Sequence, residues 1–219
     1  MNKKQYIQNE ETANAVTHGL GILLGAAAGI WLFLKALYYC DPWVISSVLV
    51  YIVCMLFSYI ASTLYHACRK GKRKVILRKF DHVAIYFHIA GTYTFFTLTV
   101  LRDEEFWGWL LFFIVWIVAI IGSHFSIKGR GIGSRIETVC YIIMGLVVVV
   151  AFNPLVSALY SICALNILWY IIAGGILYLV GALLYSFKKI PYIHSVFHIF
   201  VVGGSIFHLL AIAITLDRL

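Results

Sequence analysis

Seven apolar runs, each long enough to cross a bilayer as a helix, leave almost nothing of this 219-residue chain for any other structure. A membrane-spanning helix needs about 20 predominantly apolar residues. The runs lie at roughly 16–39, 43–67, 81–101, 106–127, 135–156, 160–186 and 191–216, separated by short polar breaks. They are too long and too uniformly apolar for the alternating segments of about ten residues that build a membrane barrel. The expectation is an all-α membrane protein with seven transmembrane helices in one domain, residues 1–219. A hydrophobic share of 63% with 12% charged residues excludes an ordinary soluble domain.

Lys3 and Lys4 before an apolar run with Ala26-Ala27-Ala28 imitate a signal peptide. The run continues through Trp31 to Tyr38, however, and cleavage would remove a whole span. Internal repeats and low-complexity stretches are absent from the sequence. Pro42, Pro154 and Pro191 are each expected at a span boundary, where a helix can start or stop. Gly21, Gly25 and Gly29 recur every four residues on one face, which invites close approach of a neighbouring helix.

Charge sets the orientation. Of 17 Lys and Arg residues, 14 fall in the N-terminal tail (Lys3, Lys4), the Arg69–Lys79 break, the Lys128–Arg135 break and the Lys188-Lys189 turn. Lys35, Arg102 and Arg218 fall on the other side, with Asp41, Asp103, Glu104, Glu105 and Asp217. The positive-inside rule then predicts a cytoplasmic N-terminus and a C-terminus outside. The net charge of +8 follows from topology and does not call for nucleic acid, since the cations are spread over four breaks with no reading element. The Arg69–Lys79 cluster could also hold anionic lipid headgroups. Five cysteines without a CxxC pair suggest neither a disulfide framework nor a cysteine metal site. Gly129-Arg-Gly-Ile-Gly133 lacks the preceding strand and the Lys-Ser/Thr ending of a phosphate-binding loop.

Ionisable groups at membrane depth are costly and usually serve function. In the predicted topology Ser62 and His66 close the second span at the cytoplasmic face, Asp81 opens the third there, and His194 and His198 open the seventh. Residues four apart share a helix face, so His194 and His198 can hold one ion together, and Ser62 stands over His66 in the same way. Three neutral imidazoles with one position left for water make an open zinc site rather than a closed structural one. Asp81 is the expected base acting on that water, and Ser62 is expected to orient a ligand histidine or to hydrogen-bond to an oxyanion. His18, with Glu11 and Asn14 in the preceding turns, could border the site. His82 points elsewhere on its helix, His88 lies about two turns deeper and His124 sits on the fourth span. His208 is about 15 Å along the helix from His198 and out of reach of the same metal.

Glu11-Thr-Ala-Asn14-Ala-Val-Thr-His18-Gly, Ser62-Thr-Leu-Tyr-His66, Phe80-Asp81-His82 with Ala90-Gly-Thr-Tyr93-Thr, and His194-Ser-Val-Phe-His198 with Gly204-Ser-Ile-Phe-His208 together resemble the hemolysin III family, the bacterial branch related to the progestin and adipoQ receptors. The resemblance runs from about residue 10 to the C-terminus. It implies a seven-helix fold with a cytoplasmic N-terminus and, as in the receptor branch, zinc held at the positions of His66, His194 and His198 beside Asp81 and Ser62. It also implies kinship with metal-dependent membrane hydrolases, which include alkaline ceramidases. One departure stands out: many bacterial members have an acid at the position of Ser195, so HSVFH is not the HExxH of zinc proteases and offers no helix-borne glutamate base.

Three functions follow as expectations. The first is a zinc hydrolase of an amide or ester in a membrane lipid, and the second a pore-forming cytolysin. The third is a receptor-like regulator of membrane state in which zinc is structural. The chain is too apolar to travel as a soluble monomer and shows no polar stripe fit to line a wide pore, which argues against the second.

Overall fold

The computed structural model of the chain describes residues 3–129, 135–187 and 190–219. Among them the regular structure is helical throughout: α1 (Lys3–Tyr38), α2 (Pro42–Ala67), α3 (Lys72–Leu98), α4 (Trp107–Ile127), α5 (Arg135–Leu146), a 3-10 stretch (Val147–Ala151), α6 (Phe152–Ser161), α7 (Ile167–Tyr185) and α8 (Ile193–Leu216). Among the described residues six stretches are long and apolar enough to cross a membrane: α1, α2, α4, α7, α8 and the broken stretch Arg135–Ser161. Large apolar side chains such as Leu23, Ile30, Ile120, Ile143 and Trp169 point outward uncovered, as a lipid-facing surface requires.

The exception is α3, and its own sequence explains why. Asp81, His82, His88, Thr92, Thr94 and Thr97 lower its hydropathy, and all but the half-buried Asp81 are enclosed by the protein. It packs between α2 and α4 and also touches α8. A helix surrounded by protein does not need a lipid-compatible face.

The helices close into a ring. α1 packs on α2, α2 on α3, α3 on α4, α4 on α5, α5 on α7, α7 on α8 and α8 back on α1. The glycine face of α1 meets α2 as its spacing predicts: a Cβ on Gly25 or Gly29 would come within 3.0 Å of Met55 or 2.9 Å of Ile52.

Three boundaries differ from the sequence reading. α1 begins at Lys3 rather than near 16, so Glu11 and Asn14 belong to the same continuous helix as His18. Arg69–Lys79 is not mainly a loop: after Gly71, with φ of +145°, the chain enters α3 at Lys72, because Lys and Arg are good helix formers however poorly they score for membrane burial. The fifth run also extends to Ser161 and is broken, with Pro154 inside it instead of at its end. Four successive valines, 147–150, are stiff at χ1, and Pro154 has no N–H and crowds the carbonyl four residues back; the helix accordingly gives way to 3-10 geometry just before the proline. Of the basic breaks, the side chains of Lys3 and Lys4, residues 130–134 with most of the Gly129–Gly133 turn, and Lys188-Lys189 lie outside the described residues.

One end of the ring is tied by ion pairs. Lys35 Nζ on α1 reaches Asp217 at 2.6 Å after α8, and Arg102 after α3 reaches Asp41 at 3.3 Å. Asp41 also caps α2, its carboxylate accepting the Trp43 N–H at 2.7 Å with Pro42 at the first helical position. Burial pushes the Asp41 pKa up, but the Trp43 N–H and Arg102 outweigh it and hold the group below the usual carboxylate range. The half of the interior next to this end is apolar and closely packed, with Leu32, Tyr51, Phe95, Leu101, Leu159 and Leu216 fully or almost fully buried. Polar groups concentrate toward the opposite end.

Candidate metal centre

At that opposite end, the last turn of α2 and the first turns of α8 bring His66, His194 and His198 together. One ring nitrogen from each lies within 4.8 Å of those of the other two. The ring centroids are 4.6 Å apart for His194 and His198, 4.8 Å for His66 and His194, and 5.2 Å for His66 and His198. His66 and His198 are buried and His194 is half-buried.

The hydrogen bonds behind the rings decide what the cluster can hold. Nδ1 of His198 lies 3.2 Å from the backbone carbonyl of Asn14. A carbonyl only accepts, so Nδ1 carries the proton and the Nε2 lone pair is bare. For His66, Nδ1 lies 3.2 Å from the Glu11 carboxylate, which fixes the same tautomer, and Nε2 is buried without a hydrogen-bond partner among the described residues. The Asn14 amide nitrogen lies 3.4 Å from the same Nδ1, a longer contact that the charge-assisted one to Glu11 overrides. Metal-binding histidines in general donate the far N–H to a carboxylate or carbonyl, and this donor set fits that chemistry for a divalent ion such as Zn²⁺.

The other predicted residues divide. Asp81 is half-buried on α3, three residues after Arg78, and is not one of the clustered ligand groups. Ser62 lies beside Asp81 with its hydroxyl buried. His18 comes closer than its position at the start of a span suggests: its ring stacks on His198 at 3.7 Å, with both of its nitrogens buried and without a hydrogen-bond partner among the described residues. A pocket of about 230 Å³ lined by Ile7, Glu11, Asn14, Tyr185 and His194 opens the cluster at this end of the ring.

The remaining histidines lie elsewhere. His82 Nδ1 is 3.0 Å from the buried Glu137 carboxylate on α5, near enough to pair electrostatically although its N–H is not aligned for a hydrogen bond. Ser126 donates to the other oxygen of Glu137. Deeper in the ring, Ser205 contacts His88 at 3.3 Å and the Tyr178 hydroxyl at 2.8 Å, while His208 lies 3.3 Å from the Ile171 carbonyl. His124 packs against Phe125.

Several groups in this frame escape sequence reasoning. Ser195, noticed only for the acid it replaces, is buried and donates to the Asn14 side chain at 2.5 Å. Thr17 contacts His198 Nδ1 at 3.2 Å. Lys74, half-buried in the first turn of α3, pairs with Glu11 at 2.5 Å. The available signal was the polar stripe Glu11, Asn14, His18, spaced to share one face of an otherwise apolar helix.

Fold and site together define a multi-pass helical protein of the cell membrane with a cluster of three histidines at one end of its bundle. The sequence profile of the family described as Haemolysin-III related matches residues 6–209. The chain is 42% identical over 196 residues to the Hemolysin-3 homolog of Bacillus subtilis (strain 168), covering 90% of this chain and 89% of that protein. To the Hemolysin-3 of Bacillus cereus it is 39% identical over 209 residues, covering 94% and 91%. The chain therefore belongs to the haemolysin III family, as its motifs suggested.

Proposed function

We propose that this protein is a zinc-dependent membrane hydrolase that cleaves an amide or ester bond of a lipid, with His66, His194 and His198 as the ligands. The observation that carries the reading is the pair of fixed tautomers, which leaves bare Nε2 atoms on two buried imidazoles beside a third. A zinc ion there supplies Lewis acidity, polarising a carbonyl and acidifying water. Asp81, set back from the ligands, takes the proton of the attacking water and returns it to the departing nitrogen or oxygen. Water and lipid thus become a carboxylic acid and an amine or alcohol. Ser62, beside Asp81, orients its carboxylate. The pocket at His194 admits the polar part of the substrate, and the surrounding bilayer takes its chains.

In this reading the chain crosses the membrane seven times, α3 included, with the histidine end cytoplasmic. A structural zinc is the second reading, favoured by the way the cluster and its partners join α1, α2 and α8. A pore through one chain has less support, since the half of the interior away from the histidines is closely packed apolar side chains.

Metal analysis and lipid mass spectrometry on the same purified samples separate these readings. Wild type is expected to carry one zinc and to turn over a ceramide-like or acyl lipid. His194→Ala should lose both, whereas Asp81→Asn should keep the metal and lose turnover by about 10²-fold or more. Zinc with no turnover, together with a large drop in melting temperature on chelation, would leave the ion a structural role.

A further inference from the structure

The first turns of α3 carry more than topology requires. From Cys68 to Phe80 there are seven cations and no acid. Two are engaged: Lys74 with Glu11, and Lys79, whose ammonium reaches the Ile127 carbonyl at the end of α4 at 2.6 Å. Arg69, Lys70, Lys72, Arg73 and Arg78 are exposed, with no carboxylate at ion-pair distance among the described residues.

These turns are helical, which fixes the direction of each side chain. Lys72 and Arg73 share the outward face with Val75, Ile76 and Phe80, which are 62%, 53% and 48% exposed. Cations interleaved with uncovered apolar side chains suit the boundary between headgroups and acyl chains, where apolar groups sink and long basic side chains reach the phosphates. On the opposite face Lys74 turns inward. Its ammonium meets Glu11 at 2.5 Å, and the same carboxylate oxygen lies 3.2 Å from His66 Nδ1.

We propose that the first turns of α3 bind the phosphate headgroup of an anionic phospholipid of the protein's own bilayer, and that Lys74, shared between that headgroup and Glu11, links the bound lipid to the histidine cluster. A phosphate that draws Lys74 toward the surface leaves Glu11 facing His66 alone. The freed carboxylate is a stronger acceptor for the His66 N–H, which makes Nε2 a better donor to the metal. Anionic lipid therefore tightens zinc binding. The link to zinc rests on the function proposed above; the headgroup site does not.

The test uses the full chain in nanodiscs of phosphatidylcholine with and without phosphatidylglycerol, reading retained lipid by native mass spectrometry and zinc affinity by competition with a chelator. Wild type should retain phosphatidylglycerol in preference to phosphatidylcholine. Arg69→Gln/Lys70→Gln/Lys72→Gln/Arg73→Gln should lose that preference, by roughly fivefold for each cation removed. Because these charges also guide insertion, the second arm needs no variant: the wild-type preference should collapse between 0.1 M and 1 M salt, as the screening length falls from about 10 Å to about 3 Å. Zinc should bind several-fold more tightly in the phosphatidylglycerol discs, and Lys74→Gln should make the two affinities equal. An unchanged preference in the quadruple variant and in 1 M salt overturns the headgroup site. Equal binding of inorganic phosphate by wild type in pure phosphatidylcholine discs also overturns it, in favour of a soluble anion. A zinc affinity that responds to lipid identically in Lys74→Gln overturns the link alone, and absence of zinc from wild type defeats the hydrolase reading while the lipid arm stands.

Discussion

Asn14 does more for the histidine cluster than any residue that faces it. Its backbone carbonyl fixes the His198 tautomer, its amide nitrogen sits 3.4 Å from His66, and its side-chain oxygen receives the buried Ser195 hydroxyl. Truncation would strand that hydroxyl and loosen the frame behind two of the three imidazoles, while the carbonyl contact to His198 persists. Groups of this kind are typically worth 10- to 100-fold in metal affinity. Asn14→Ala should accordingly weaken zinc binding within that range, read by chelator competition, without abolishing it as His194→Ala does. How much of this was legible follows from which contacts are local. The histidine pair on α8 and the polar stripe on α1 are helical spacings, visible in the sequence. The closure of Asn14 onto Ser195, 181 residues away, depends on how α1 and α8 are packed against each other, which no spacing encodes.

α2 and α3 deliver His66 and Asp81, and their separation is set where the two helices cross. A Cβ added at Gly91 would fall 2.6 Å from the Cys54 Cβ, with the Val50 carbonyl at 3.4 Å, so any side chain there must push the helices apart. Gly91→Leu should destabilise the protein by about 1–3 kcal/mol or more, the usual range for overpacking, and should lower turnover more than zinc affinity, because it shifts Asp81 on α3 while the ligands sit on α2 and α8. Gly175, where an added Cβ would meet nothing within 4 Å, is the control: Gly175→Ala should be neutral or slightly stabilising in the same thermal melts. Hydropathy locates the helices because bilayer thickness dictates their length, but it is blind to backbone geometry. It therefore runs a single span through Val147–Val150 and places Pro154 at an end. It also reads the basic turns of α3 as loop, since a lysine that disfavours the membrane interior still favours the helix.

At the scale of the whole molecule the crossing to test is that of α3, whose polar residues keep it out of the six stretches apolar enough to span among the described residues. The chain's own cysteines can decide it. Cys40 lies in the turn after α1 and Cys163 in the turn after α6, both exposed, whereas Cys68 lies between α2 and α3, beyond the histidine end of α2. From Cys40 to Cys163 the chain passes α2, α3, α4 and the Arg135–Ser161 stretch. Four crossings return it to the same side; three, if α3 does not cross, leave it on the other. Cys68 is one crossing from Cys40 in either case. With single-cysteine versions in intact cells, a membrane-impermeant maleimide should label Cys40 and Cys163, and should reach Cys68 only after permeabilisation. Labelling of Cys68 alone would keep seven crossings but reverse the orientation, moving the histidine cluster to the outer face. Cys163 behaving like Cys68 would remove α3 from the count and leave Asp81 on a helix that enters from one side without traversing the bilayer.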